Sequence, residues 1–126
     1  MTEHEGPRPG LVGRVTVTVT DADTAVALGS GDVRVLGTPR VVALLEEAAC
    51  VALQGSLPAD RTTVGAHIDL SHLAPSPVGA TVEATATVTE IDRSRLRFDL
   101  VATMDGEPIA NGTHLRVMVP RGFGEG

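Results

Sequence analysis

The chain has no lysine, tryptophan or tyrosine, two phenylalanines and one cysteine among 126 residues. Each scarcity excludes something. With aromatics at 2%, the core has to be built from Val, Leu, Ala and Ile, and Phe98 is the one aromatic set in a patterned segment. The single Cys50 cannot form an internal disulfide. Its apolar neighbours read as core, and a lone thiol suits a reducing cytoplasm. All ten basic residues are Arg, against sixteen Asp and Glu, for a net charge of -6. That excludes the concentrated basic surface nucleic acid requires, while a few local arginines still suffice for a small phosphate-bearing ligand. No apolar run approaches the roughly 18 residues of a membrane span, and the polar opening MTEHEGPRPG is not a signal peptide. No His, Cys and Asp spacing suggests a metal site. Missing lysine beside abundant Ala, Gly and Val is a bias associated with GC-rich bacterial genomes.

What is present has the length of one domain, spanning residues 12–120 between a lead-in at 1–11 and a Gly-rich tail at 121–126. Val15, Val17 and Val19 alternate with threonines, the period of a strand with one buried face. Residues 21–37 are irregular, with room for one short helical turn. Thr38-Pro39 then reads as a helix start, Thr as the cap and Pro in the first turn. VVALLEEAACVALQG continues without a breaker to Gly55. It is apolar on most sides, so it reads as a buried helix interrupted only by Glu46, Glu47 and Cys50. Four strand patterns follow, at 62–71, 79–91, 94–104 and 108–119, joined mainly as a meander. Asp105-Gly106 between two alternating runs is a hairpin signal. The expected fold class is α+β: one antiparallel sheet wrapped around one long helix. Such a sheet has an exposed edge, which a symmetric dimer would occupy.

This layout resembles the hot-dog fold, and His72-Leu73-Ala74-Pro75 followed by Gly79 resembles its common strand-end signature. Three further features narrow the resemblance to the fluoroacetyl-CoA thioesterase family over roughly residues 13–119. Thr38 stands eight residues before Glu46 in LLEEAAC, Gly65 stands seven before His72 in VGAHIDLSH, and the last strand carries Gly112-Thr113-His114-Leu115-Arg116. The resemblance implies hydrolysis of a small acyl-CoA to a carboxylic acid and free CoA, with Thr38, Glu46 and His72 catalytic and Gly65 and Arg116 supporting the substrate site. It implies no separate cofactor, CoA being part of the substrate, and a homodimer or a dimer of dimers. The family's characterised member has a Phe-bearing segment before the helix, which helps select the fluorinated acyl group. Residues 25–37 here contain no aromatic, so a generic short-acyl or aryl-acyl thioester is an equal expectation.

Thioester hydrolysis needs a base or nucleophile, a stabiliser of the developing oxyanion and a departing thiolate. Glu46, among Val42, Ala43, Ala49 and Cys50, is a carboxylate whose burial would be costly and would raise its pKa. Glu47 has an equally apolar setting, so periodicity does not separate the two; the resemblance selects Glu46. His72, ordinarily titrating near roughly 6.5, suits proton exchange. His67 has the opposite parity to Val64 and Ile68, which points it to solvent or a dimer seam. His114 faces opposite to Leu115, and Arg116 reads either as an exposed strand residue or as a carboxylate or phosphate contact. Arg93, Arg95 and Arg97 read either as a CoA-phosphate cluster or as an exposed face. The competing functions are a hydratase or dehydratase on the same fold, whose own His-acid motifs are missing, and a non-catalytic acyl-CoA-binding protein, for which a buried Glu46 would have no use.

Overall fold

A computed structural model describes residues 6–126; residues 1–5, the first five of the expected lead-in, lie outside the described residues. Strand β1 (Val12–Thr18) leads through a 3-10 turn (Asp21–Asp23) and a single-turn helix α1 (Ala25–Leu28) to the long helix α2 (Thr38–Leu53). Strands β2 (Arg61–His72), β3 (Thr81–Asp92), β4 (Arg95–Met104) and β5 (Glu107–Pro120) follow. All neighbours are antiparallel, in the order β1-β3-β4-β5-β2. Ordered pairing begins before β1: Gly10 donates to the Val88 carbonyl and Val88 to the Leu11 carbonyl, at 2.8 and 2.9 Å.

The meander is confined to β3, β4 and β5. β2 does not lie beside β3; residues 73–80, with Pro75 and Pro77, carry the chain across the sheet end, and β2 pairs with β5 at the far edge. Asp105 and Gly106 both adopt positive φ, as a tight two-residue hairpin requires.

The core is what an aromatic-poor sequence permits. Leu96, Phe98, Leu100 and Ala102 of β4 and Val82, Ala84, Ala86 and Val88 of β3 pack beneath Val41, Leu44, Leu45, Ala48 and Ala49 of α2. Phe98 is 1% exposed, a burial contributing about 1.5–3 kcal/mol. Small residues let helix and sheet approach closely: a Cβ added at Gly13 of β1 would collide with the α2 backbone at Ala48 and Ala52.

Helix α2 lies mainly over β1 and β3 and only lightly over β4 and β2, so within one chain the sheet does not enclose it. Ala43, Glu47 and Cys50 form a solvent stripe at i, i+4 and i+7. Cys50 is therefore exposed, not core: at one hundred degrees per residue it falls opposite the sheet. Among the described residues, no helix is long and apolar enough to cross a membrane.

Candidate active site

The cap of α2 is Gly37, whose carbonyl accepts from Arg40 and Val41 at 3.0 and 3.1 Å. Thr38 thus stands one position inside the helix, not at the cap. Its hydroxyl is free for another partner, and Thr38 Oγ1 lies 2.7 Å from His72 Nδ1 at the end of β2. His72 Nε2 is buried and has no hydrogen-bond partner among the described residues. Beside this pair opens a pocket of about 270 Å³, walled by Ala25, Val35, Leu36 and the Leu73–Pro75 loop. The 21–37 segment is held there by Ala25 donating to the Val35 carbonyl at 2.9 Å, Leu36 to Ser76 at 2.9 Å and Gly37 to Asp23 at 2.9 Å. Asp23 also pairs with Arg40 of α2 at 2.8 Å.

Two turns further along α2, Glu46 belongs to a different group. Its side chain is 40% exposed, so the burial expected from the sequence is not found in the single chain. One oxygen, Oε2, accepts from Arg116 Nη1 at 3.3 Å. Arg116 is not an exposed strand residue; it is 6% exposed and fully engaged. Its Nε donates to Thr63 Oγ1 at 2.9 Å and its Nη2 to the Thr63 carbonyl at 3.2 Å. Nη1 also reaches His114 Nε2 at 3.2 Å. Gly65 makes room for the carboxylate: a Cβ there would sit 2.5 Å from Glu46 Oε2 and 3.4 Å from both Arg116 and His114. Glu47 is exposed and outside this group, which separates two residues that periodicity could not.

His114 was the side chain sequence reasoning undervalued. It is 3% exposed and its ring packs 5.9 Å from Phe98. Nδ1 lies 2.7 Å from the His67 carbonyl, which can only accept, so Nδ1 carries the proton and Nε2 accepts from Arg116. Burial, then the Arg116 charge, hold its pKa below 6.5, against the opposing His67 bond and the Glu46 charge. With Nδ1 donating to His67 and Nε2 accepting from Arg116 the ring carries a single proton, so its 3.8 Å approach to Glu46 is not an ion pair.

For His114 the face is set by a bulge in β5 itself: Ala102 pairs with Ala110 and Thr103 with Pro108, which leaves Ile109 out of the ladder and puts Leu115 opposite His114 and Arg116. β2 carries a second bulge. Gly65 pairs with Arg116 and His67 with Leu115, leaving Ala66 without a partner. The slip puts Gly65 and Ile68, three residues apart, on the face shared by Arg116 and His114. Its only sequence signal was Gly65 itself, since a glycine inside a strand pattern marks a bulge or a close approach.

The five expected site residues therefore form two clusters. Thr38 and His72 make one; Glu46, Gly65 and Arg116 make the other, with His114 added. Eight helical residues separate Glu46 from Thr38, about 12 Å along the axis. Seven strand residues separate Gly65 from His72, about 20 Å. Arg93, Arg95 and Arg97 are all exposed, and Arg97 pairs with Glu90 at 3.3 Å. Among the described residues, no three His, Cys, Asp or Glu side chains converge as a metal-binding group.

The family model described as fluoroacetyl-CoA-specific thioesterase (FlK) matches residues 19–122. A solved structure of the fluoroacetyl-CoA thioesterase FlK superposes with a TM-score of 0.85 at 26% identity, over 91% of this chain and 90% of that one. A hot-dog-like protein from Thermanaerovibrio acidaminovorans superposes at 0.82 with 24% identity, covering 91% and 85%. A hypothetical protein of the thioesterase superfamily from Thermus thermophilus does so at 0.84 with 22% identity, covering 92% and 86%. These last two likenesses are of fold alone, and the fold is the hot-dog fold. No curated protein sequence matches at a significant level.

Proposed function

Because the chain belongs to the fluoroacetyl-CoA-specific thioesterase family and is a thioester hydrolase acting on acyl-CoA, we propose that Glu46, Thr38 and His72 form its catalytic site across a symmetric dimer. The observation carrying this reading is the half-exposed Glu46 carboxylate, held by buried Arg116 over Gly65. A structural carboxylate has no need of an accessible oxygen; one that attacks a thioester carbonyl, or takes a proton from the attacking water, does. Either route begins at the same carboxylate. The acyl carbon gains an oxygen, the C–S bond breaks, and the thiolate leaves with a proton that the Thr38–His72 pair delivers. The N-terminal end of α2 beside Thr38 favours negative charge developing on the carbonyl oxygen.

The spacing of the two clusters supports the dimer. β2 is a long strand at a sheet edge, which a second β2 satisfies. An antiparallel pairing with its twofold near Ile68–Asp69 would set Gly65 opposite His72 of the partner subunit. The pocket near Thr38, about 270 Å³, is small for a ligand site and suits a short acyl group. Its walls lack an aromatic, so the acyl preference is generic and not fluoroacetyl-specific. We place the enzyme in a bacterial cytoplasm, with CoA entering as part of the substrate and no separate cofactor.

Free-thiol release from a panel of acyl-CoAs tests this. Glu46→Gln should lower kcat roughly 10²-fold, the scale of losing a positioned base, while Glu47→Gln stays near wild type. Fluoroacetyl-CoA and acetyl-CoA should give similar kcat/KM. Full turnover by Glu46→Gln would overturn the mechanism, and a large fluoroacetyl preference would overturn the reading of the pocket.

A further inference from the structure

We infer that His114 is a positioning residue for catalysis: it orients Arg116, and through Arg116 the Glu46 carboxylate. This rests on reading Glu46 as the catalytic carboxylate. Arg116 Nη1 is shared by two acceptors, Glu46 Oε2 at 3.3 Å and His114 Nε2 at 3.2 Å. The guanidinium is planar and its nitrogens keep a fixed fork, so an acceptor at Nη1 sets the plane in which that nitrogen meets Glu46. Thr63 holds the Nε and Nη2 edge, but does not touch Nη1. His114 supplies the remaining constraint, and its own ring is fixed from both sides.

Nδ1–H donates to the His67 carbonyl on the bulged part of β2, and Phe98 packs against the ring from β4. Only the tautomer with the proton on Nδ1 can do both, because an arginine has no lone pair to offer and a carbonyl has no proton. The bulge that opens room for Glu46 at Gly65 thus also presents the carbonyl that fixes the tautomer two residues later. Neutrality is part of the device, since a protonated ring would offer Arg116 an N–H in place of a lone pair. The groups facing His114 are Arg116 on its own strand, Glu46 on α2 and His67 on β2. Burial and the Arg116 charge lower its pKa and so favour the neutral ring.

Three substitutions separate positioning from mere packing. His114→Gln keeps an acceptor long enough to meet Arg116 Nη1. His114→Asn keeps an N–H for the His67 carbonyl but falls short of Arg116. His114→Leu keeps bulk and loses both. The expected result is that kcat falls roughly 10- to 100-fold in the Asn and Leu variants, the scale for angstrom-level loss of orientation. KM should change little, and the Gln variant should retain most of the turnover. If the Leu variant does not fold, the Asn and Gln pair decides. Equal kcat in Asn and Gln overturns the inference, as does wild-type kcat in a folded Leu variant. Glu46→Gln is assayed alongside. If it is inactive while all three His114 variants are normal, only the positioning role fails; if it is active, the reading of Glu46 fails first.

Discussion

At the scale of single residues, the site uses charge where the core is otherwise apolar, and that leaves a pH signature. His114 is held below its ordinary value of 6.5, chiefly by burial. The unfolded chain therefore takes up a proton near 6.5 that the folded chain refuses until lower pH. The unfolded state binds more protons in that interval, so folding stability rises with pH there. The contribution is intact above 6.5 and is lost as pH falls toward the folded value, with a slope of at most about 1.4 kcal/mol per pH unit for one group. Asp23, also held below its ordinary value, first by the Thr20 backbone bond, loses its contribution in the more acid range below 3.8. Denaturant titrations from about pH 8 to about pH 5 should show a falling midpoint in the wild type and a shallower fall in His114→Gln. Parallel slopes would mean that the protonation of His114 is not linked to folding.

At the scale of elements, two glycines make close approaches of different kinds. A Cβ at Gly65 of β2 meets the end of a flexible side chain, Glu46, whereas a Cβ at Gly13 of β1 meets helix backbone. A carboxylate can swing aside; a packed helix cannot move without disturbing the core beneath it. Gly65→Ala should therefore melt close to the wild type yet lose about 10²-fold in kcat, as expected when a reacting group is displaced by an angstrom. Gly13→Ala should lose thermal stability first, with activity following the folded fraction. Calorimetry and thiol-release assays on both variants check this. Unchanged kcat in Gly65→Ala would show that Glu46 tolerates displacement and that the bulge has no catalytic purpose.

At the scale of the molecule, one chain holds the two clusters of proposed site residues about 20 Å apart along β2. It also leaves a helix stripe at Ala43, Glu47 and Cys50 facing outward. In the proposed dimer, a second copy paired through β2 would bring the two clusters together. Light scattering at micromolar concentration should give a dimer or a multiple of it. Mixing is the sharper measurement. Glu46→Gln and His72→Ala proteins, unfolded and refolded together, should recover about a quarter of wild-type activity, because half of the statistically mixed dimers carry one intact site of two. If each site were built within one chain, every mixed site would contain one lesion and no activity would return.

Local pattern determined a good deal by itself. Alternation over Val15–Val19 and over Leu96–Ala102, the unbroken helix after Thr38-Pro39 and the Asp105-Gly106 turn specified the elements, because strand and helix periods are properties of neighbouring residues. The ordered motifs around Thr38, Glu46, Gly65, His72 and Arg116 named the residues to watch. Tertiary structure decided what those residues do to one another. It released Thr38 from capping, told Glu46 from Glu47, turned Arg116 inward, recruited His114 and exposed Cys50. It also put β2 beside β5 at an edge. Resemblance had already selected Glu46 and Arg116; pattern alone gave neither, because one-residue bulges in β2 and β5 invert strand parity beyond them. The face a helix buries likewise depends on where the sheet lies beneath it, and no run of neighbouring residues encodes that.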